Sequence, residues 1–422
     1  MQGDSGMSIS RMASVSEAGP KDLQGDGVPL STMDEDRLVQ QGVIPEIGKN
    51  ASNRAVREVW QRGSAVWHVC ASMPSRSEEP LAIRDLALMP SSAEEAEAVL
   101  ERHGLAAVCM KGMKSKADRT IGQDNFCSTR LAGGWRFHCV ADGHGAQGHW
   151  AADRVVRVLP YFLSAVELRR LLRKGKVAEA LFTAFARMQE DIVTTAESLG
   201  LNMNFSGSTA TCILREIHSS KVWVANLGDS RTLMVTRDGK VIGSTQDHKP
   251  TVPAEKHRLL ASGCDFTSTT TESGEVIHRV VIKGETYPAV AFTRSFGDQC
   301  VKKYGVHAEP DVHEWDAGRA QDGFIIMATD GVWEFMSNEE VARVVSSSFS
   351  EGLKPMAVME RVVTEARTHW TSNEENYCDD ITAVMCPVRQ ITAAPPKPLD
   401  GCFACILPEV CAKQVDRLCV VQ

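Results

Sequence analysis

The residues best suited to chemistry are aspartates that stand at the ends of apolar, strand-like segments. Asp142 directly follows the segment WRFHCVA and precedes Gly143, His144 and Gly145, so backbone can approach a ligand closely there. Other acids have a similar placement. They are Asp229 after KVWVANLG, Asp330 after GFIIMAT, Asp379-Asp380 before ITAVMC, and Asp124 in the loop ahead of WRFHCVA.

Carboxylates gathered from several strand ends suit hard divalent cations. Mg²⁺ and Mn²⁺ prefer oxygen ligands in near-octahedral geometry and keep several waters, so a few carboxylates and a carbonyl suffice. Two such ions about 4 Å apart lower the pKa of a bridging water and hold a phosphoryl group for in-line attack. A single Asp-Gly after a strand is an ordinary turn, but the recurrence of the pattern predicts an acidic metal site, with phosphate chemistry as an option.

The elements that must position these acids change in character along the chain. From residue 106 onward, short β-branched runs are separated by turns, and Asp238-Gly239 lies between two such runs as a tight-hairpin signal. Helical periodicity is present in GHWAADRVVRVL and VAEALFTAFARMQEDIVTTAESLG, and again in NEEVARVVSSSF and AVMERVVTEARTHW. Strands and helices segregated in this way predict an α+β sandwich rather than a parallel, doubly wound sheet.

Four regions are predicted along the 422 residues. Residues 1–25 are rich in Gly, Ser and Asp and predict a disordered N-terminal tail. Residues 26–105 form an extension of unknown role. The segment NRAVREVWQRGSAVWHVC has helical spacing of apolar groups at Val56, Val59 and Trp60, and SSAEEAEAVLERHG predicts a capped helix that Gly104 ends. Residues 106–388 form the main domain, and residues 389–422 form a Pro-containing linker and a Cys-containing tail.

The bulk composition excludes several classes of function. A net charge of −8 without a basic run argues against a nucleic-acid binder. The 13 cysteines are odd in number and no secretory signal opens the chain, so we expect a reducing, intracellular compartment. No uninterrupted apolar stretch reaches the ~18 residues that a membrane-spanning helix needs.

Seven short motifs, in this order, resemble the metal-dependent, type 2C protein serine/threonine phosphatase family. The resemblance spans about residues 106 to 388 and implies an antiparallel β-sandwich flanked by helices on both faces. It also implies hydrolysis of phosphoserine and phosphothreonine in proteins. The motifs are ADGHG (141 to 145), SGSTA (206 to 210), ANLGDSR (225 to 231), DHKP (247 to 250), TRSFGD (293 to 298), ATDGVWE (328 to 334) and CDDITAV (378 to 384).

The resemblance implies a centre of two Mg²⁺ or Mn²⁺ ions, with a third, weaker ion nearby. Two positions depart from the family pattern. Glu334 stands where the family often has Asp, which alters the third site, and Gln123 stands where many members have Glu. The implied ligands are Asp142 as the bridge, the carbonyl of Gly143, Asp330 and Asp379, with Asp124 as an outer acid and Asp229 at the third ion.

Two further residues receive catalytic roles from the resemblance. His144 would protonate the leaving serine or threonine oxygen, because an imidazole titrates near neutrality. Arg119, five residues before Asp124, would grip the phosphate, since a guanidinium fork suits two phosphate oxygens. The segment around it is looser than the usual family version, so Lys111 or Lys114 is the alternative.

Other motif residues are predicted to serve shape rather than chemistry. Gly207 and Ser208 are expected to allow close strand packing, and Asp298 to cap a turn. Arg231 and Arg294 are expected to hold loops by pairing with carboxylates. The stretch Val252 to Tyr287 corresponds to the family's flap beside the active site, where its Ser and Thr residues could influence substrate choice.

The C-terminal Cys419-Val420-Val421-Gln422 has the form of a prenylation motif, and the final Gln favours farnesyl. One prenyl chain binds membranes reversibly, so a second signal is expected, and three upstream cysteines are candidates for palmitoylation. We therefore expect a cytoplasmic protein at the cytoplasmic face of a membrane. The alternatives are an unmodified tail or a zinc site, of which Cys402-x-x-Cys405 supplies half. The third upstream cysteine is Cys411.

Three functions compete on these observations. An active phosphatase acting on phosphoprotein substrates, expected as a monomer, requires its metal ligands. A pseudophosphatase that serves as a binding module would have lost them, and Asp142, Asp330 and Asp379 are all present. A different two-metal hydrolase such as a nuclease would need a basic groove, which the sequence does not indicate. The sequence therefore favours the phosphatase.

Overall fold

The computed structural model describes residues 51–60, 66–76, 78–89, 91–217, 219–270 and 276–389. The predicted N-terminal tail and most of the predicted linker and tail, with Cys402, Cys405, Cys411 and the proposed prenylation site Cys419, lie outside the described residues. Prenylation stays a prediction. Within the described ranges, no helix has the length and apolarity needed to cross a membrane.

The strands are given first, in chain order. They are β1 Trp67–Ala71, β2 Leu86–Met89, β3 Ala106–Met110, β4 Asn125–Leu131, β5 Trp135–Ala141, β6 Gly143–His144, β7 Gly207–Ser208, β8 Ala210–Glu216, β9 Lys221–Leu227, β10 Arg231–Val235, β11 Val241–Ser244, β12 Cys264–Thr270, β13 Val276–Ile282, β14 Pro288–Val290, β15 Phe296–Gly297, β16 Asp311–Asp316, β17 Phe324–Ala328 and β18 Ile381–Pro387.

The helices alternate with these strands. They are α1 Asn53–Trp60, α2 Ala93–Arg102, α3 Gly148–Leu163, α4 Val166–Arg173, α5 Val177–Ser198, α6 Pro253–Ala261, α7 Gln299–Lys302, α8 Asp330–Trp333, α9 Asn338–Ser350 and α10 Pro355–Asn373, with a 3₁₀ turn at Ala317–Ala320.

Two antiparallel sheets form the centre of the molecule. The larger has seven strands in the order β16-β9-β8-β5-β4-β1-β2, and the smaller has five in the order β11-β10-β17-β18-β3. Val140 of β5 and Met327 of β17 lie in the apolar layer shared by both sheets. Residues of alternate orientation pack outward, where Phe137 meets α3 and α5, and Ile326 meets α9 and α10. The predicted α+β sandwich with helices on both faces is confirmed.

Most of the elements predicted from periodicity are present. The four helical stretches predicted in the main domain lie in α3, α5, α9 and α10. The Asp238-Gly239 turn joins β10 to β11, with Gly239 at a positive φ of 89°. A capping box between Ser337 and Glu340 begins α9.

The described part of the N-terminal extension belongs to the same sandwich. Helix α1 is present, with Val56, Val59 and Trp60 buried. The helical spacing predicted at these three residues is confirmed, and the later segment WHVCA is β1, which pairs antiparallel with β4 and β2. All five of its residues are buried, so a continuous apolar run here indicates a strand covered on both faces rather than a helix.

Two small sheets flank the sandwich near the strand ends. β12, β13 and β14 form one of them, and residues of this sheet share an apolar cluster with Leu259 and Phe292. The stretch predicted as the flap, Val252 to Tyr287, contains α6, β12 and β13. β15, β7 and β6 form a short sheet in which Gly207 pairs with both Gly297 and His144. This second small sheet places the loop after β5 beside the segment TRSFGD.

Candidate active site

Three strand ends bring the central acids together in one acidic cluster. Asp142 lies between β5 and β6, and its backbone is fixed by Thr209, whose N–H donates to the Asp142 carbonyl at 2.8 Å. Asp330 begins α8 directly after β17, and Asp379 precedes β18. Since β17 and β18 are adjacent strands in register, their acids emerge on neighbouring strands. Asp142 and Asp330 are partly exposed.

The electrostatics of Asp142 show that all five predicted acids converge. Burial raises its pKa well above the usual range, and the charges of the other four acids raise it further. Asp330 behaves in the same way, through burial and the charges of Asp229 and Asp379, while a hydrogen bond with Asp142 partly offsets the rise. Buried carboxylates this close cannot all be ionised unless positive charge is supplied. The other four acids are Asp330, Asp124, Asp379 and Asp229.

Asp124 and Asp380 lie in the buried part of the acidic cluster. Asp124 is buried and accepts a hydrogen bond from the Thr329 hydroxyl at 2.8 Å. Burial, followed by the charge of Asp380, raises the pKa of Asp124 to about 8. Asp380 accepts from the N–H groups of Gly112 and Gln123, both at 2.6 Å, so it fixes backbone. Of the neighbouring pair, Asp379 therefore lies at the centre and Asp380 supports it.

Two lysines lie against this acidic cluster. The ammonium of Lys114 contacts Asp379, and the Asp379 carboxylate also accepts from the Tyr377 hydroxyl at 3.3 Å. Lys249 lies 3.2 Å from Glu334. Burial alone would lower the pKa of either lysine, yet the surrounding carboxylates hold both above the usual range. The lysines supply part of the positive charge that the acids require.

The donor set fits hard divalent cations. Within the described ranges, no group of three or more His, Cys, Asp or Glu side chains is arranged to hold one ion by itself. Mg²⁺ and Mn²⁺ do not need such a cage, because they are commonly bound by one or two carboxylates and keep several waters. The chemistry also agrees, since the converging donors are carboxylates rather than thiolates or imidazoles. Lys114 and Lys249 neutralise only part of the negative charge of the acids, and a divalent ion would neutralise the rest.

His144, two residues after Asp142, is held by Asp298. Its Nε2 is 2.7 Å from Oδ2 of Asp298, which also accepts from the Ser295 hydroxyl at 2.5 Å. Lys302 donates to the Ser295 carbonyl at 2.6 Å. Burial alone would raise the pKa of Asp298, but His144 and Lys302 hold it below its usual range. A Cβ at position 207 would lie 2.6 Å from Asp298 Oδ2, so only glycine fits beside the pair.

The predicted capping role of Asp298 is therefore wrong. It stands at the N-terminus of α7 with no side-chain cap hydrogen bond, because its carboxylate is bound to His144. The available signal was its position in the TRSFGD motif, but pairing with His144, 154 residues earlier, depends on the β6-β7-β15 sheet. The prediction for the two arginines is confirmed. Arg231 pairs with Asp247 at 2.7 Å, and Arg294 with Glu255 at 2.6 Å.

The three candidates for gripping phosphate have different surroundings. Arg119 is exposed, and its guanidinium donates to the Asp118 carbonyl at 2.6 Å. Lys111 is buried and paired with Asp118 at 2.7 Å, so it is committed to structure. Lys114 contacts the acidic cluster through Asp379.

Gln123 joins the loop before β4 to the loop that carries the central aspartate. Its side-chain amide donates to the Gly145 carbonyl at 2.6 Å, and its own carbonyl accepts from the Gly143 N–H at 3.2 Å. An ionised glutamate at this position could not donate to Gly145. Gln123, where many family members have Glu, thus makes a hydrogen bond that an ionised glutamate could not make.

Comparison with known proteins gives a consistent result. A family model described as "Protein phosphatase 2C" matches residues 104–374. The chain is 31% identical to "Probable protein phosphatase 2C 34" of Arabidopsis thaliana, with 61% of this chain and 73% of that protein covered. It is 33% identical to "Probable protein phosphatase 2C 72" of the same organism, covering 58% and 74%.

A solved structure shares the fold. The serine-threonine phosphatase 2C from Toxoplasma gondii superimposes with a TM-score of 0.53 at 20% identity, covering 75% of this chain and 98% of that one. At that identity the likeness concerns the fold alone.

Proposed function

Because the chain belongs to the protein phosphatase 2C family, and is thus a metal-dependent protein serine/threonine phosphatase, we propose that its acidic cluster binds two Mg²⁺ or Mn²⁺ ions. Asp142 would bridge them, with the Gly143 carbonyl, Asp330 and Asp379 as further ligands. The observation that carries this proposal is the convergence of Asp142 on four other carboxylates, each raising its pKa. When bound, the ions supply an acidified water and neutralise phosphoryl oxygens.

His144 is proposed as the acid that protonates the leaving serine or threonine oxygen. Asp298 occupies Nε2 at 2.7 Å, which leaves Nδ1 as the nitrogen that can carry the transferred proton. The ring also packs against Phe292 with centroids 4.4 Å apart, so its orientation is fixed on two sides. A fixed ring favours proton transfer because the acid must already be within reach of the leaving oxygen.

Arg119 is proposed to bind the phosphoryl oxygens. Its exposed side chain can turn towards a bound phosphate, and a guanidinium offers two parallel donors. Lys114 is the alternative, because binding of an ion by Asp379 would release its ammonium for the phosphate.

A third, weaker ion is proposed near Asp229 and Glu334. Lys249 lies 3.2 Å from Glu334 and its charge acts on Asp229, so this ammonium would compete with the ion. Competition of this kind would weaken binding of the third ion even though both acids are present.

Calorimetric titration of Mn²⁺ tests the two-ion centre, together with phosphate release from a phosphothreonine peptide. We expect two tight equivalents per chain and release that follows their occupancy. Asp330→Asn should lose at least one equivalent and most of the release. Asp238→Asn, in the β10-β11 turn, is the matched control and should match wild type in both.

Other outcomes would reject the proposal. A single equivalent in wild type would contradict the two-ion centre. Peptide binding without release at any Mn²⁺ or Mg²⁺ concentration would favour the pseudophosphatase.

A further inference from the structure

We infer that Glu78 and Arg84 are positioning residues of the metal centre, although both precede the family-matched residues 104–374. The inference rests on the proposed function. The two residues lie between β1 and β2, in the extension to which the sequence assigned no role. They contact the loop of residues 122–124, which follows the candidate phosphate ligand Arg119.

The segment that carries Arg84 runs alongside the end of β3. The Arg84 N–H donates to the Cys109 carbonyl at 2.9 Å, and the Lys111 N–H donates to the Ala82 carbonyl at 2.8 Å. Both charged side chains are nearly inaccessible, with exposed fractions of 6% for Arg84 and 9% for Glu78. Two charged side chains, those of Glu78 and Arg84, are therefore buried beside the loop of residues 122–124.

The pair attaches to the loop at both of its ends. Arg84 Nε and Glu78 Oε1 are 3.3 Å apart, as an ion pair. The other oxygen of Glu78 accepts from the Gly122 N–H at 2.8 Å, and Arg84 donates to the Gly122 carbonyl at 2.9 Å. Arg84 also donates to the carbonyl of Asp124. Glu78 and Arg84 thus supply the backbone of residues 122–124 with hydrogen-bond partners that a neighbouring strand would supply in a sheet.

The attached loop in turn contacts the proposed ligands. The Gln123 carbonyl accepts from Gly143 at 3.2 Å, and the Gln123 N–H donates to Asp380, the neighbour of Asp379, at 2.6 Å. The Asp124 side chain belongs to the acidic cluster itself. A shift of residues 122–124 would consequently move the Gly143 peptide and the inner acid together.

Gly122 is adapted to this contact. A Cβ there would lie 2.7 Å from Glu78 Oε2 and 3.3 Å from an Arg84 guanidinium nitrogen. A larger residue would separate the pair from the backbone.

A contribution to stability alone does not account for the arrangement. Replacing a buried ion pair by apolar residues of similar size is often neutral, because desolvation of the charges offsets their attraction. Hydrogen bonds directed at one loop are better explained by the geometry they impose. Partners of this kind, one shell beyond the ligands, typically change metal affinity by about 10–100-fold when removed.

The test replaces the pair with apolar side chains, as Glu78→Met combined with Arg84→Met in the full chain. The matched control is Arg154→Met with Asp191→Met, another buried pair, whose Nε and Oδ2 are 2.7 Å apart. Mn²⁺ affinity is measured by calorimetry. Hydrogen exchange at the Gly122 amide is measured in the metal-free protein. We expect the Glu78/Arg84 variant to bind Mn²⁺ about 10–100-fold more weakly and to exchange Gly122 faster. The control should retain wild-type values for both.

Equal Mn²⁺ affinity in the two double variants would overturn the inference, whether both match wild type or both lose it. If the Glu78/Arg84 variant does not fold, Gly122→Ala tests the same contact by steric displacement and should weaken Mn²⁺ binding in the same direction. Wild-type Mn²⁺ affinity in that variant would also overturn the inference. Absence of Mn²⁺ binding by the wild-type protein would instead reject the proposed function, and unchanged Gly122 exchange would reject the inference in that case.

Discussion

The candidate site has two sides on which the pKa values of carboxylates shift in opposite directions. On the side of Asp142, burial and neighbouring acids raise the pKa, and two lysines balance part of the charge. On the side of His144, Asp298 is buried as well, yet His144 and Lys302 hold its pKa below the usual range. The first side therefore has unbalanced negative charge that a divalent cation would neutralise. The second is already balanced and can hold an imidazole in one orientation.

The largest expected effect is that of Asp142→Asn, which tests the side with unbalanced negative charge. Removing the proposed bridge should lower phosphopeptide hydrolysis by about 10³-fold, because bound metals contribute several kcal/mol and each 1.36 kcal/mol is tenfold in rate. The same change should stabilise the metal-free protein, since it removes a carboxylate whose charge four neighbouring acids oppose. Rates at saturating Mn²⁺ and urea midpoints in chelator measure the two effects.

The two effects of Asp142→Asn have opposite signs, since hydrolysis should fall while metal-free stability rises. A variant that lost activity and metal-free stability together would indicate an ordinary packing defect at Asp142. Asp238→Asn again provides the control and should change neither quantity.

Asp298→Asn should break the balanced side with an intermediate effect. If Asp298 orients His144 for proton donation, the variant should lose about 10²-fold on a phosphoserine peptide, in the lower range of general acid catalysis. It should lose little on 4-nitrophenyl phosphate, whose leaving group needs no proton. His144→Gln should show the same selectivity. Comparison of kcat for the two substrates measures it.

A purely structural role for Asp298 would lower both rates equally. If His144→Gln also lacked the selectivity, the assignment of the general acid would be wrong rather than that of its partner.

The sequence predicted the acids far better than their surroundings. Asp142, Asp330 and Asp379 could be identified because each is adjacent to a strand that its own local pattern predicts. The bond between His144 and Asp298 could not be predicted, since it spans 154 residues and depends on three two-residue strands that leave almost no periodic signal.

The N-terminal extension shows the same limit. The apolar run at β1 suits a helix or a buried strand equally, and only pairing with β4 decides between them. Glu78 and Arg84 have the composition of an ordinary surface segment. Their burial follows from contacts with residues about 40 positions later, which no local pattern contains.

The smallest expected effect is on the pH dependence of the free energy of unfolding of the metal-free protein, which also distinguishes the two sides. Asp124 has an ordinary pKa near 3.8 that the fold raises to about 8. Between these values the folded state binds more protons than the unfolded state, so stability should fall as pH rises through the window. The slope is at most about 1.4 kcal/mol per pH unit for each such group.

Urea midpoints between pH 5 and pH 8 in chelator should therefore decrease, and Asp124→Asn should flatten the decrease. The corresponding Asp298→Asn variant should not flatten it, because the pKa of Asp298 is lowered instead. Midpoints that rose with pH would show that the acidic side is already balanced without metal.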